Sequence, residues 1–383
     1  MKVVNIFFTQ NKQLAWLSIV YLFILIAWYA VFAINNNSEV LFSLYPKTFY
    51  FEPHISTYLL EKTYGTSFLS ITTFITIVII PYTILVLLFN IYSKFVEPNY
   101  AFLFSLLSVS ISNEKNFREF LYLLSQNNLL ENITTTDFPL IFKFPFPSLS
   151  SLVFLFFFIK VLNLKKTDIK QEWYLSILVA ISFYINALDA LFLFVMWFFT
   201  LFIRKKINKK RAKRIIILLT LICLVILPGV LSNTLSQNYQ TTTEYNHYNL
   251  FLYNLLPIVF TIIFFRIKRI DPQEIWFKFK YVYLFLATEL FVNLLAYSKI
   301  FIIDLSVLNR QAPQFVIHLL YYTPIVYYLS RQPMNYRFGT ESSFFSIQAA
   351  SILYNLFNRL KKVLFYVMVA LLLMFNLPLI LFI

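Results

Sequence analysis

Long apolar blocks alternate with short polar stretches along the whole chain, each block long enough to cross about 30 Å of hydrocarbon as a helix. The blocks fall near 14–34, 67–91, 147–163, 214–232, 249–266, 281–302, 314–330 and 362–383, with a shorter one at 100–112. Apolar runs of this length without alternation predict helices, because a buried strand ends after about four to eight residues. The stretch 173–203 is too long for one simple crossing, and basic clusters stand on both sides of it. It is therefore expected to be a hairpin of two short helices, with Asn186 and Asp189 near its tip. The fold class that follows is an all-α polytopic membrane protein of about nine to eleven transmembrane helices. The whole of 1–383 reads as a single integral membrane domain.

The polar stretches set the sidedness. Lys160, Lys165, Lys166 and Lys170 precede the hairpin, and the string RKKINKKRAKR, Arg204 to Arg214, follows it. Arg266–Arg269 with Lys278 and Lys280, and Arg331, Arg337, Arg359, Lys361 and Lys362, form the later basic blocks. Lys and Arg accumulate on the cytoplasmic side of membrane proteins, so all these blocks are expected on one face, together with the N-terminus. The first apolar block is longer than a signal-peptide core and has no small-residue cleavage site after it, which predicts a retained helix. The opposite, outer face then receives the loops near 35–66, 113–146, 233–249 and 303–313. These are the longer and less basic connections, so the outer membrane–water boundary is the expected place of work.

Composition narrows the classes. Hydrophobic residues make up 60% of the chain and charged residues 13%, with 46 Phe and 26 Tyr. A soluble domain of this length could not hide that much apolar surface. The formal net charge of +15 is dispersed in blocks between apolar runs, which is a membrane distribution and argues against a nucleic-acid partner. With only 3 Gly, close small-residue packing is not expected to hold the helices, and large aromatic contacts must do so instead. One cysteine, Cys223, excludes an internal disulfide, and three histidines (His54, His247 and His318) offer no pair at helical spacing for haem or zinc. No metal site and no resident cofactor are read from the residues, with a divalent cation left open. The chain shows no nucleotide-binding glycine motif and no internal repeat, which disfavours an inverted-repeat transporter. The excess of Phe, Ile, Asn, Lys and Tyr fits an AT-rich coding sequence.

Candidate chemistry lies mostly in the outer segments. The first loop carries Glu39, Lys47, Glu52, His54, Glu61 and Lys62 around the string YPKTFYFEPHIS. Aromatics beside Glu52 and His54 would hold them at headgroup depth, where a carboxylate could serve as general base. The plainer reading is a loop on the interface with solvated charges. In the second loop Lys143 stands between Phe142 and Phe144, among Pro139, Pro145 and Pro147. It would pair with a lipid phosphate or simply snorkel to it. Asp304, Arg310, Gln311, Gln314 and His318 gather near Pro313. Arg310 has the planar fork that suits a phosphate, although an Asp304–Arg310 pair closing a turn is as good a reading. Within the apolar blocks Glu289 and Asn293 are one helical turn apart, and an acid inside a membrane helix points to function. Asp189 is the other such acid.

Three passages carry a resemblance: PLIFKFPFPSLSSLVFLFFF, EWYLSILVAISFYINALDALFLFVMWFFTLFIRKK and LNRQAPQFVIHLLYYTPIVYY. The arrangement resembles the GT-C-type membrane glycosyltransferases and the O-antigen polymerase-like proteins of bacterial surface-polysaccharide clusters. The resemblance implies transfer of a sugar, or of a growing glycan, from a polyprenyl-phosphate carrier at the outer face of the bacterial inner membrane. It implies an acidic base in the first outer loop, for which Glu39, Glu52 and Glu61 are the candidates. Of these Glu52 is preferred, with Arg310 and Lys143 on the carrier phosphates and with His54, His318 and Asp189 positioning substrate. A competing class is a divergent, organelle-encoded subunit of a proton-translocating complex in the mitochondrial inner membrane, since Arg310 and Gln314 are similar to the arginine helix of the rotary ATPase a subunit. A flippase or transporter for lipid-linked oligosaccharide is the third.

Overall fold

The computed structural model describes residues 12–23, 78–111, 148–164, 169–185, 187–204, 209–234, 259, 261–263, 271–297, 319–330 and 359–372. Among these residues the chain is helical apart from short turns, and no strand is present. Eight helices have defined bounds: α1 Ile80–Tyr92, α2 Pro98–Ile111, α3 Ser148–Leu162, α4 Ile169–Ile185, α5 Ala187–Arg204, α6 Lys209–Thr234, α7 Pro272–Tyr297 and α8 Thr323–Ser330. Residues 12–23 and 359–372 are also helical. Every apolar block expected to span a membrane contains described helix in whole or in part.

Local chemistry explains where helices begin. Asp271 caps α7: its Oδ1 accepts the Gln273 N–H at 2.9 Å, Pro272 takes the first helical position, and Glu274 faces the positive end of the helix dipole. Pro98 opens α2 in the same manner, with the Ala101 N–H donating to the Glu97 carbonyl at 2.9 Å. Between α1 and α2 the chain turns over Ser93–Val96, where backbone N–H groups return to Phe89, Ile91 and Tyr92.

The region 173–203 is two helices, α4 and α5, packed on each other. Their direction follows from the contacts to α6. Arg214 reaches Glu172 near the start of α4, while the Tyr184 hydroxyl near its end donates to the Val225 carbonyl. So α4 and α6 run in the same sense, and α5 returns from the end of α4 as the second arm of a hairpin. Asp189 lies in the first turn of α5, at the tip of that hairpin.

The core is one continuous cluster dominated by rings. Phe285 of α7 is its hub, with ring centroids 5.4 Å from Phe192, 6.0 Å from Phe154, 5.8 Å from Phe158 and 5.6 Å from Tyr321. Tilted and edge-to-face pairs at these separations add to the area they bury. The expectation that aromatics replace glycine as the packing element is met here. Helix α5 occupies the centre, against α3, α4 and α7, and no side chain from Ala190 to Leu201 is exposed.

Among the described residues no helix is long and apolar enough to cross a membrane. The apolar blocks promised longer crossings than the described helices provide. Helices α1 to α4 have 13, 14, 15 and 17 residues, short of the roughly 20 that a bilayer core asks for. Helix α5, with 18, has Asp189 near one end and Arg204 at the other. Of the 26-residue helices, α6 opens on a basic run, Lys209, Lys210, Arg211, Lys213 and Arg214, and α7 carries Glu274, Lys278, Lys280 and Glu289 along its length.

Candidate functional site

Most of the described charges, Asp189 at the hairpin tip and the buried Glu289 excepted, are gathered at one end of the bundle. Lys94 in the α1–α2 turn donates to Asn163 Oδ1 at the end of α3. Phe95 beside it stacks on Phe279 near the start of α7, with centroids 5.9 Å apart. Lys361 pairs with Glu97 at 3.7 Å, and the Tyr100 hydroxyl donates to the Lys361 carbonyl. Gln13 donates to Asn99 in the same corner. On α7 the Glu274 carboxylate accepts the Tyr328 hydroxyl at 3.2 Å, and the Lys278 ammonium lies 3.1 Å from the Tyr327 ring centroid. Glu172 and Arg214 tie α4 to α6 at 3.5 Å, with the Glu172 side chain only 8% exposed. Basic blocks that are far apart in sequence thus converge on one face of the bundle.

These contacts have a common physical form. Each carboxylate is held by a hydrogen bond or a cation from another element, so the end is cross-linked by polar clasps while its rings pack beneath. Partial burial of Lys94 lowers its ammonium below the ordinary lysine value.

A second feature is a buried acid. Glu289 on α7 is 4% exposed, one turn beyond Phe285 and next to the fully buried Thr288. The Thr288 hydroxyl returns to the Leu284 carbonyl at 2.8 Å. The stripe Phe285, Thr288, Glu289 and Val292 is buried as a unit. Two ring contacts, Phe192 with Phe285 and Phe199 with Phe291, join α7 to α5 on either side of Glu289. Glu289, expected within an apolar block, is thus on a helix and buried. Of Asn293, one turn further on, only the place on α7 is described.

Glu52, His54, Lys143, Arg310 and His318 lie outside the described residues, as do Glu39, Glu61 and Asp304. Asp189 is placed by its backbone alone. Among the described residues no three His, Cys, Asp or Glu side chains converge to hold a metal ion.

Sequence reasoning passed over the Glu172–Arg214 clasp. A signal was present: Glu172 shares helical spacing with Leu175, Ser176 and Val179, all buried, so an acid stood in line with an apolar stripe. No protein-family model matches the chain, and no curated protein and no solved structure matches it.

Proposed function

We propose that this chain is an integral membrane protein and that it transfers a sugar or growing glycan from a polyprenyl-phosphate carrier at the outer face of a bacterial inner membrane. The membrane part is carried by one observation, the outward apolar face of α6. Seven positions between Ile216 and Leu227 are exposed there, and Ile216, Ile217, Leu224, Val225 and Leu227 are aliphatic. Leaving such a side chain in water forgoes about 1.5–3 kcal/mol relative to burial, whereas hydrocarbon accepts it.

The helix hydroxyls support the same reading. Thr220, on the exposed face of α6, donates to the Ile216 carbonyl four residues back at 2.9 Å, while Ser105, Ser176, Thr200 and Thr288 do the same in the protein interior. A hydroxyl that has water within reach need not turn to its own backbone; one facing lipid must.

The transferase part rests on the sequence resemblance and on the outer-loop chemistry of Glu52, His54, Lys143, Arg310 and His318. In this reading Glu52 removes the acceptor proton, while Arg310 and Lys143 neutralise charge developing on the phosphate leaving group. Asp189, at the hairpin tip and remote from the basic end, belongs to the outer side in this reading and helps to position substrate. Deleting the gene in its native host and resolving surface glycans on gels tests this. Chains are expected to be lost or shortened, and neither Glu52→Gln nor Arg310→Ala should restore them. Unchanged glycans in the deletion strain would overturn the assignment.

A further inference from the structure

We infer that the basic end of the bundle is a binding surface for anionic phospholipid headgroups, an inference that rests on the membrane reading above. The carboxylates at this end already have partners inside the protein: Glu172 with Arg214, Glu97 with Lys361, Glu274 with the Tyr328 hydroxyl, and Asp271 with the Gln273 N–H. The cations outnumber them. Lys170, Lys213, Arg359 and Lys362 are exposed, each within a few residues of one of these clasps, so an excess of positive charge faces outward.

Aromatic rings are interleaved with these charges. The Lys160 ammonium lies 5.3 Å from the centre of the Tyr174 ring, and Lys280 lies 5.0 Å from that of Tyr281. With Lys278 over Tyr327, three ammonium groups lie over ring faces. That is the posture of a side chain reaching from hydrocarbon to the headgroup layer. Trp276 and Phe277, in the first turns of α7, are 51% and 82% exposed. Exposed large rings at the level of exposed cations fit a layer that is apolar below and negatively charged above. A soluble anion would match the charge but would leave Trp276 and Phe277 in water. The lipid source is therefore the one the surface fits.

The test uses the full chain reconstituted in nanodiscs of phosphatidylcholine mixed with a minority of phosphatidylglycerol. After detergent extraction and purification, mass spectrometry gives the ratio of the two lipids that remain bound. Phosphatidylglycerol is expected at about three-fold or more over its bulk share, falling as salt rises, because screening weakens exposed charge pairs. The combined variant Lys170→Gln, Lys213→Gln, Arg359→Gln and Lys362→Gln should bring the ratio close to bulk. The charge-keeping variant with Lys170→Arg, Lys213→Arg and Lys362→Arg should retain the excess, which separates lost charge from lost folding. Retained lipid at the bulk ratio in the unaltered chain would overturn the inference. Displacement of the lipid by inorganic phosphate alone would also overturn it, by assigning the surface to a soluble anion. Failure of the membrane reading itself is seen separately, as a chain that washes off membranes in alkaline carbonate and never enters nanodiscs.

Discussion

Helices α5 and α6 are neighbours in sequence and both consist largely of apolar residues, yet the fold treats them oppositely. Helix α5 is enclosed by α3, α4 and α7, and its largest side chain, Trp197, is fully buried. Helix α6 leans on α4, buries Ile215, Leu218 and Ile222, and turns Leu224, 64% exposed, away from the protein. Apolar character alone therefore does not distinguish a core helix from a peripheral one. The difference lies in what surrounds the second one: a peripheral aliphatic face calls for an apolar partner, which under the proposed function is hydrocarbon.

The comparison breaks most visibly at Trp197. Trp197→Ala removes a fully enclosed indole from α5 and is expected to cost about 3–5 kcal/mol, read as a lowered unfolding midpoint in detergent. Leu224→Ala on α6 should move the same midpoint by less than about 0.5 kcal/mol. Next in size is Leu224→Lys, which places an ammonium where lipid is proposed and should cost about 2.5–3.5 kcal/mol of insertion free energy. Its readout is a fall in the membrane-associated fraction; if α6 faced water, the same substitution would leave that fraction unchanged and improve solubility. Glu172→Ala leaves Arg214 partly buried without its carboxylate and should cost about 1–3 kcal/mol, an effect that Arg214→Met in the same chain should partly relieve.

Smaller effects sharpen the picture within α1 and α2. Tyr92→Phe removes a buried hydroxyl that bonds Ser108 at 2.7 Å and should cost about 1 kcal/mol. Lys94 should leave a weak pH signature. Its folded pKa is lowered by burial, so between that value and the ordinary lysine range the unfolded chain holds the proton that the folded chain has released. Stability should then rise with pH through this window, and Lys94→Met should flatten the rise.

Much of the fold was legible from the pattern of apolar blocks. Helices appear within each of them, the 173–203 stretch divides into two arms near Asn186, and ring-on-ring packing follows from 46 Phe and 3 Gly. The grouping of basic blocks was legible as well, because Lys and Arg between apolar runs can satisfy their solvation only at a common boundary. Helix ends were not. Block 67–91 gives no sign that a described helix begins at Ile80, since Pro81 can open a helix or interrupt one. The buried partnership of Glu172 was hidden because its cation, Arg214, stands 42 residues away and pairing across helices leaves no local spacing. Of the candidate site, the sequence supplied residue types suited to a lipid-linked phosphate, but Glu52 and Arg310 stand far apart in the chain, and no periodicity encodes which distant positions meet.

The central claim is that the exposed face of α6 lies in lipid, and the chain carries its own reporter. Cys223 is its one cysteine, and it is exposed on α6 beside Leu224. Intact membranes holding the unaltered full chain would be treated from both sides with a charged, water-phase maleimide, and a second sample would be treated after dissolution in hot sodium dodecyl sulfate. Negligible labelling is expected in the membranes and full labelling after dissolution, because a thiol in hydrocarbon does not meet the reagent. Rapid labelling of Cys223 in the untreated membranes would put that face in water and contradict the account.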